Sequence, residues 1–215
     1  MIVPIRPLAV FKIGGSLFDM PHLPQVLQQV LAQRPHHALL LIAGGGAAAD
    51  VIRQWDRVHQ LGDESAHALA LEAMDLSAAL LARFLPAARL VRSERQVRQA
   101  AHDDTVSILC AGCFIKAAEA QGHAPLAHSW RVTSDSIAAW TTRALAAAEL
   151  VLVKSVPSPM GMTAAAAAQA GLVDECFPRL AAGLSKVGWV NARADESRIE
   201  SWLAIQNISA PNKDA

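Results

Sequence analysis

No sign of charge predominates in this sequence: 19 Lys and Arg residues face 19 Asp and Glu, for a formal net charge of zero. Without an overall field there is little to hold a polyanion or an acidic bilayer, so nucleic-acid and membrane-surface binding are excluded as the main activity. Cysteine is scarce. Three residues are an odd number, too small for a disulfide framework, which fits a reducing compartment. No uncharged apolar run approaches the ~20 residues that span a bilayer. The start, Met1-Ile2-Val3-Pro4-Ile5-Arg6, lacks the basic region and apolar stretch of a secretory signal. A cytoplasmic protein with no membrane span is expected. Low-complexity linkers and repeats of ~20–50 residues are also missing, so residues 1–215 read as one domain.

What the sequence does have is apolar bulk, 53% against 18% charged, in 215 residues. That is enough for a folded domain with a sizeable core. Short runs rich in Val, Ile and Leu alternate with longer helical patterns. The expected fold is α/β: a mainly parallel open sheet with helices on both faces. Strands are expected at Leu8–Ile13, Ala38–Ala43, Arg89–Val91, Val106–Cys110, Leu150–Val153 and Val187–Val190. Helices are expected at Leu23–Gln33, Ala47–Asp56, Ser65–Phe84, Glu94–Ala101, Ser136–Ala147 and Glu196–Ala204. The polar end, Ser209–Ala215, reads as frayed.

Two strands end in glycine. Val10-Phe11-Lys12-Ile13-Gly14-Gly15-Ser16 places a lysine near the end of the first strand, just before two glycines. Leu39-Leu40-Leu41-Ile42-Ala43 runs through Gly44-Gly45-Gly46 into a helix. Glycines let backbone N–H groups approach an anion, and a helix start adds its positive dipole end. The spacing is not that of a P-loop, and each turn alone would also suit an ordinary strand ending. Two such turns at the carboxyl edge of one parallel sheet, where open α/β sheets bind ligands, are a more specific signal for phosphate. A third stretch, His128-Ser129-Trp130-Arg131-Val132-Thr133-Ser134-Asp135-Ser136, leads into a helix that Thr133 or Ser134 could cap. Asp135 could orient Lys12 or hold magnesium.

Lys12-Ile13-Gly14-Gly15-Ser16, Gly44-Gly45-Gly46 and Thr133-Ser134-Asp135-Ser136, in this order, resemble the amino acid kinase superfamily of acetylglutamate, aspartate and uridylate kinases. The chain is most similar to the branch that phosphorylates an aminomethyl-furan methyl phosphate to its diphosphate in methanofuran biosynthesis. Ala66–Leu76 with its Met74-Asp75 pair, His128–Ser136, Val173–Pro178 and Trp189–Arg193 carry that likeness, nearly end to end. The resemblance implies ATP- and Mg2+-dependent transfer to a small phosphate acceptor, serving one-carbon metabolism. In it Lys12 bridges the transferred group and Asp135 organises the lysine or lysines. Gly14, Gly15, Ser16 and Ser134 hold the nucleotide phosphates. Gly44, Gly45 and Gly46, with His128 and Trp130, hold the acceptor. Arg53, on the helix after the triple glycine, is either a guanidinium fork for the acceptor's phosphate or an exposed residue on a solvated helix face. No metal-ligating set is assigned.

The chief departure follows the fifth strand, where the superfamily's Thr-Asp-Val-Asp-Gly is replaced by Lys154-Ser155-Val156-Pro157-Ser158-Pro159-Met160-Gly161. Two prolines fix φ and remove N–H donors, so this loop cannot make the family's turn unchanged. Lys154 either compensates as a second cation near the phosphates or is an ordinary strand-end lysine. A kinase-like binding subunit, and a kinase for a carboxylate or a nucleoside monophosphate, stand as the alternatives. Cys110 and Cys113 form a lone Cys-x-x-Cys and read as small buried hydrophobes. His67 reads as packed, and the Ala-rich face of its helix would suit a twin, as expected of a homo-oligomer.

Overall fold

The computed structural model describes residues 6–204, so the expected frayed end, Ser209–Ala215, lies outside the described residues. Among the described residues, seven strands form one sheet: β1 (Leu8–Ile13), β2 (Ala38–Ala43), β3 (Arg89–Val91), β4 (Ser107–Leu109), β5 (Glu149–Lys154), β6 (Lys186–Asn191) and β7 (Glu200–Ala204). Their spatial order is β3-β4-β2-β1-β5-β6-β7. Every pairing is parallel except β6 with β7. Between them lie α1 (Leu23–Leu31), α2 (Gly46–His59), α3 (Asp63–Phe84), α4 (Glu94–His102), α5 (Ala111–Ala120), α6 (Ser134–Ala144), α7 (Ala164–Gln169) and α8 (Phe177–Ala181).

Side-chain alternation along the central strands assigns them to two cores. Phe11, Ile13, Leu41, Val151 and Val153 pack with Leu23, Leu27 and Val30 of α1 and with Ala78 and Leu81 of α3. Val10, Leu40, Ile42, Leu150 and Leu152 pack on the other side with Phe114 of α5, with Ile137 and Trp140 of α6, and with Phe177 of α8. The α/β expectation holds, with helices on both faces. In the second set the alternation continues to Lys12 on β1 and Lys154 on β5. Both lysines therefore face α6 at the carboxyl edge of the sheet.

In place of the expected helix at Glu196–Ala204, the structure has β7 over Glu200–Ala204 and no helix at residues 196–199. Glu196, Arg198 and Glu200 stand two residues apart, the period of a strand face and not of a helix. The free edge of β6 offers β7 unpaired backbone, and Trp202 stacks on Phe177 (5.9 Å) and meets Trp189 edge-on (5.3 Å). The fourth strand is shorter than expected, because Cys110 leaves it to stand before α5. α5, α7 and α8 were not anticipated; two of them are only six and five residues long. α3 has 22 residues and is long and apolar enough, by length and composition, to cross a bilayer. Glu72 and Asp75 interrupt its apolar run, and it packs along α2 and against β2 and β4.

Candidate functional site

Three chain turns converge at the carboxyl edge of β1 and β2. A short 3-10 turn, Gly15–Asp19, follows β1; α2 follows β2; and α6 enters beside them. The first two are in direct contact. A Cβ built at Gly15 would lie 2.3 Å from the Gly46 amide nitrogen, and one at Gly46, where φ is +53°, would lie 2.7 Å from the Gly15 carbonyl oxygen. Only glycine permits backbone to pass backbone this closely. Ser134 completes the junction, its Oγ standing 3.0 Å from where a Cβ on Gly44 would be.

The amides divide into two sets. Gly14 donates its N–H to the Val153 carbonyl (2.8 Å) and Gly44 donates to Ile13 (2.8 Å). These two residues therefore tie the corners to the sheet, which corrects the expectation that their amides would bind phosphate. The first helical bonds come from Leu17, Ala49 and Ile137. Ahead of them, the amides of Gly15, Ser16, Gly45, Gly46, Ser134 and Asp135 have no protein acceptor among the described residues. Three sets of helix-start donors thus face one place, with the positive ends of their dipoles.

Beneath them lies a buried charge group. Asp135 Oδ1 is 2.9 Å from Lys12 Nζ, and Asp135 Oδ2 accepts a hydrogen bond from Lys154 Nζ at 2.7 Å. Lys12 and Asp135 are each 4% exposed. Burial alone would push the Asp135 carboxyl up, but the two ammonium groups outweigh it and hold the carboxyl below its usual range. Burial and the neighbouring Lys12 push Lys154 down to about 8, against the pull of Asp135. One carboxylate between two lysines leaves a net positive charge facing the amides. Both Asp135 oxygens are occupied by ammonium groups, so the carboxylate is not a free ligand for magnesium.

Asp174 explains why α6 starts here. The side chain of Thr133, the residue before α6, makes no cap of its own, which corrects the expectation that Thr133 or Ser134 supplies it. Asp174 accepts from the Thr133 amide (3.1 Å), Thr133 Oγ1 (2.7 Å), the Ser136 amide (2.9 Å) and Ser136 Oγ, and from its own neighbours Cys176 and Phe177. Arg193 holds the 3-10 turn after β1, donating to the Ser16 carbonyl (3.1 Å) and to Asp19 Oδ1 (2.6 Å). Ser16 Oγ also meets Ser155 Oγ at 3.1 Å. Asp174 and Arg193 lie within the Val173–Pro178 and Trp189–Arg193 stretches, which by themselves assign neither residue a role. A capping partner that is distant in sequence leaves no local spacing to find.

A cavity of about 250 Å³ opens from the glycine corners toward α3. Gly15, Ser16, Gly45, Gly46 and Ser134 line one end; Met74, Leu71, Val132, Trp130, Arg53 and His67 line the rest. The Arg53 guanidinium lies 4.9 Å from the centre of the Trp130 ring and pairs with Asp50 at 2.6 Å. Trp130 Nε1 donates to Asp56 Oδ2 (2.7 Å). His128, expected at the acceptor, is not in the wall. It stacks on His67 at 4.8 Å and turns its Nδ1 to Glu64 (2.8 Å), so His67 takes the lining position. Beyond β5, the proline loop is pinned by Trp189 Nε1, which donates to the Val156 carbonyl (3.0 Å). Cys110 is buried, as expected, whereas Cys113 is exposed on α5.

The model of the amino acid kinase family matches residues 7–158. Among solved structures, UMP kinase from Ureaplasma parvum aligns at a TM-score of 0.65 with 13% identity, covering 91% of this chain and 99% of that one. UMP kinase from Bacillus anthracis aligns at 0.62 with 10% identity, covering 88% of each. Uridylate kinase from Archaeoglobus fulgidus aligns at 0.54 with 16% identity, covering 73% of this chain and 67% of that one. At these identities the likeness is one of fold. No curated protein matches the chain in sequence.

Proposed function

The chain belongs to the amino acid kinase family, and from that premise we propose that it moves the γ-phosphoryl group of ATP onto a small phosphate-bearing acceptor. The acceptor we propose is an aminomethyl-furan methyl phosphate, converted to its diphosphate for a methanofuran-type cofactor of one-carbon metabolism. The contact between the Gly15 and Gly46 corners above the Lys12–Asp135–Lys154 group carries this reading. Two anions brought there share one set of donors, and phosphoryl transfer needs little else than positioning and charge neutralisation.

In the reaction, an oxygen of the acceptor's phosphate attacks the γ-phosphorus, and the bond from that phosphorus to the β-bridging oxygen breaks. ADP leaves with the electron pair. The dianionic acceptor brings no proton that must be removed. Lys12 neutralises charge on the group in flight, and Lys154 does so near the β- and γ-phosphates. Asp135 holds both ammonium groups in place. The Gly15, Ser16 and Ser134 amides serve the nucleotide phosphates, while those of Gly45 and Gly46 serve the acceptor. Magnesium would arrive on the ATP phosphates, since Asp135 has no free oxygen to give it.

The proposed acceptor suits the cavity, whose volume of about 250 Å³ falls below the ~300–1,000 Å³ usual for ligand sites. A nucleoside monophosphate, the acceptor named by the UMP kinase neighbours, is the competing reading. The test is direct: purified protein with magnesium, ATP and the furan phosphate should yield ADP and the diphosphate. Neither product, beside a working control kinase, rejects the proposal; transfer to UMP in preference to the furan replaces its acceptor. We also propose that the protein is a homo-oligomer.

A further inference from the structure

Cys110 and Cys113 take no part in the site above, and the fold gives them a setting that their spacing alone does not. β4 ends at Leu109, Cys110 stands directly before α5, and Cys113 is the third residue of that helix. Cys110 is 5% exposed, whereas Cys113 is open to solvent. A buried thiol and an accessible one thus share the first turn of a ten-residue helix. These are the two positions whose side chains reach across a helix start in a capping box. On helical backbone, residues three apart have Cα atoms about 5 Å from each other. That lies inside the ~4.4–6.8 Å that a disulfide spans.

Asp75 of α3 closes this turn from the other side. Its Oδ1 accepts a hydrogen bond from the Gly112 amide at 3.4 Å. A Cβ on Gly112 would lie 3.4 Å from Asp75 Oδ2, so the residue between the cysteines is one that lets the carboxylate come close. Burial pushes the Asp75 carboxyl up, against the Gly112 and Ala111 amides. Burial first, and the Asp75 charge second, push the Cys110 thiol up as well. Cys110 is therefore protonated at pH 7, with a carboxylate at hand to take the proton when the sulfur reacts.

From this arrangement we infer that Cys110 and Cys113 are a redox-active dithiol, oxidised reversibly by low-molecular-weight disulfides, with Asp75 as the proton acceptor for Cys110. Cys113 is the entry point because it alone of the two is accessible. Its sulfur, having lost a proton to solvent, attacks one sulfur of the small disulfide; a mixed disulfide forms and one small thiolate leaves. Cys110 then gives its proton to Asp75 and attacks Cys113 Sγ. The Cys110–Cys113 bond forms, the bond to the small molecule breaks, and a second thiolate leaves. Each thiolate takes up a proton, one from solvent and one returned by Asp75. Two protein thiols lose two electrons, and one disulfide gains them to become two thiols. An odd number of cysteines is no obstacle to a pair that opens and closes, as transient disulfides of reducing compartments do.

The test uses the full chain in buffers of oxidised and reduced glutathione, quenched with acid, alkylated and read by mass spectrometry. The unaltered protein should lose two hydrogens, with the bond mapped to Cys110 and Cys113. Its oxidised fraction should follow the ratio of oxidised glutathione to the square of reduced glutathione. Cys110→Ser should stop at Cys113 joined to one glutathione, and Cys110→Ala should repeat that trap if a hydroxyl disturbs the buried position. Cys113→Ser should leave Cys110 free of glutathione. Asp75→Asn should let the mixed disulfide accumulate, and the accumulation should fade as alkaline pH ionises Cys110 unaided, which a merely structural Asp75 would not produce. Full alkylation of both cysteines in the most oxidising buffer, a bond that uses Cys176 instead, or a Cys110→Ser protein that takes up no glutathione at Cys113 overturns the inference. An Asp75→Asn protein that closes the bond as fast as the unaltered chain overturns the part given to Asp75.

Discussion

Asp135 sits between two lysines that differ in what they can lose. Replacing Lys12 by Met still leaves Asp135 paired with Lys154 at 2.7 Å, whereas Asp135→Asn leaves two buried ammonium groups facing one another. We expect Lys12→Met to cut turnover by at least ~10²-fold, as for loss of a charge-stabilising donor, with a modest fall in melting temperature. Asp135→Asn should cost about 3–5 kcal/mol of stability, as when one partner of a buried pair is removed. Thermal denaturation of the two variants side by side checks the order. Lys154, held at about 8, gives a pH signature. Turnover should fall on the alkaline side with an apparent pKa near 8, and Lys154→Arg, which stays charged, should keep its rate at pH 9. Stability should move the other way. Between 8 and the ordinary 10.5 the unfolded chain retains a proton that the folded one has shed, so unfolding becomes harder as pH rises. Lys12 and Asp135 were legible because each stands beside a strand end or helix start. His67 was not, since an isolated histidine on an Ala-rich helix looks the same whether its ring meets core or cavity.

At the scale of the element, the site is made of chain turns whose contact no single segment announces. The sequence of each glycine run predicts a turn; that Gly15 passes Gly46 follows only from β1 pairing with β2, Ile13 level with Ala43. Gly15→Ala would drive a methyl group into that contact. It should lower stability by several kcal/mol, about the 1–3 of overpacking plus strain, and it should remove ADP binding, as read by calorimetry. Asp174 is the other long-range device. It joins the loop before α8 to the start of α6, and so fixes where the Ser134 and Asp135 amides point. Asp174→Ala should destabilise the chain by about 2–4 kcal/mol, since it strands several donors at once. Asp174→Asn should restore only part of this, because the donors around it prefer a carboxylate. The strand assignments made from Val, Ile and Leu runs came within a residue or so of the sheet observed. β7 did not, because its strand character lives in the free edge of β6 and in the ring of Trp202.

The whole molecule is a sheet with one busy edge. Lys12 and Lys154 reach that edge because alternation assigns both to the α6 side. The opposite face is filled by α1 and the inner side of α3, leaving the outer side of α3 to solvent. There Leu76 is 64% and Leu80 42% exposed, with Glu72 before them and Arg83 after. An antiparallel copy of α3 would set Glu72 against Arg83 and bury both leucines, with small Ala79 allowing close approach. A sedimentation mass of at least twice 22.8 kDa is expected. Leu76→Asp with Leu80→Asp should reduce it to that of one chain while ADP binding persists; an unaltered mass in this variant would place the interface elsewhere.

The most direct test of the shared cradle is the affinity of one molecule that occupies both halves: the furan acceptor joined to adenosine through four phosphates. Titrated into the protein, it should bind far more tightly than ADP and compete with both ADP and the acceptor, because one set of amides and two lysines then meet the entire phosphate chain. Binding no tighter than ADP, or competition with only one of the two ligands, would contradict the claim that the glycine corners and the Lys12–Asp135–Lys154 group serve donor and acceptor together.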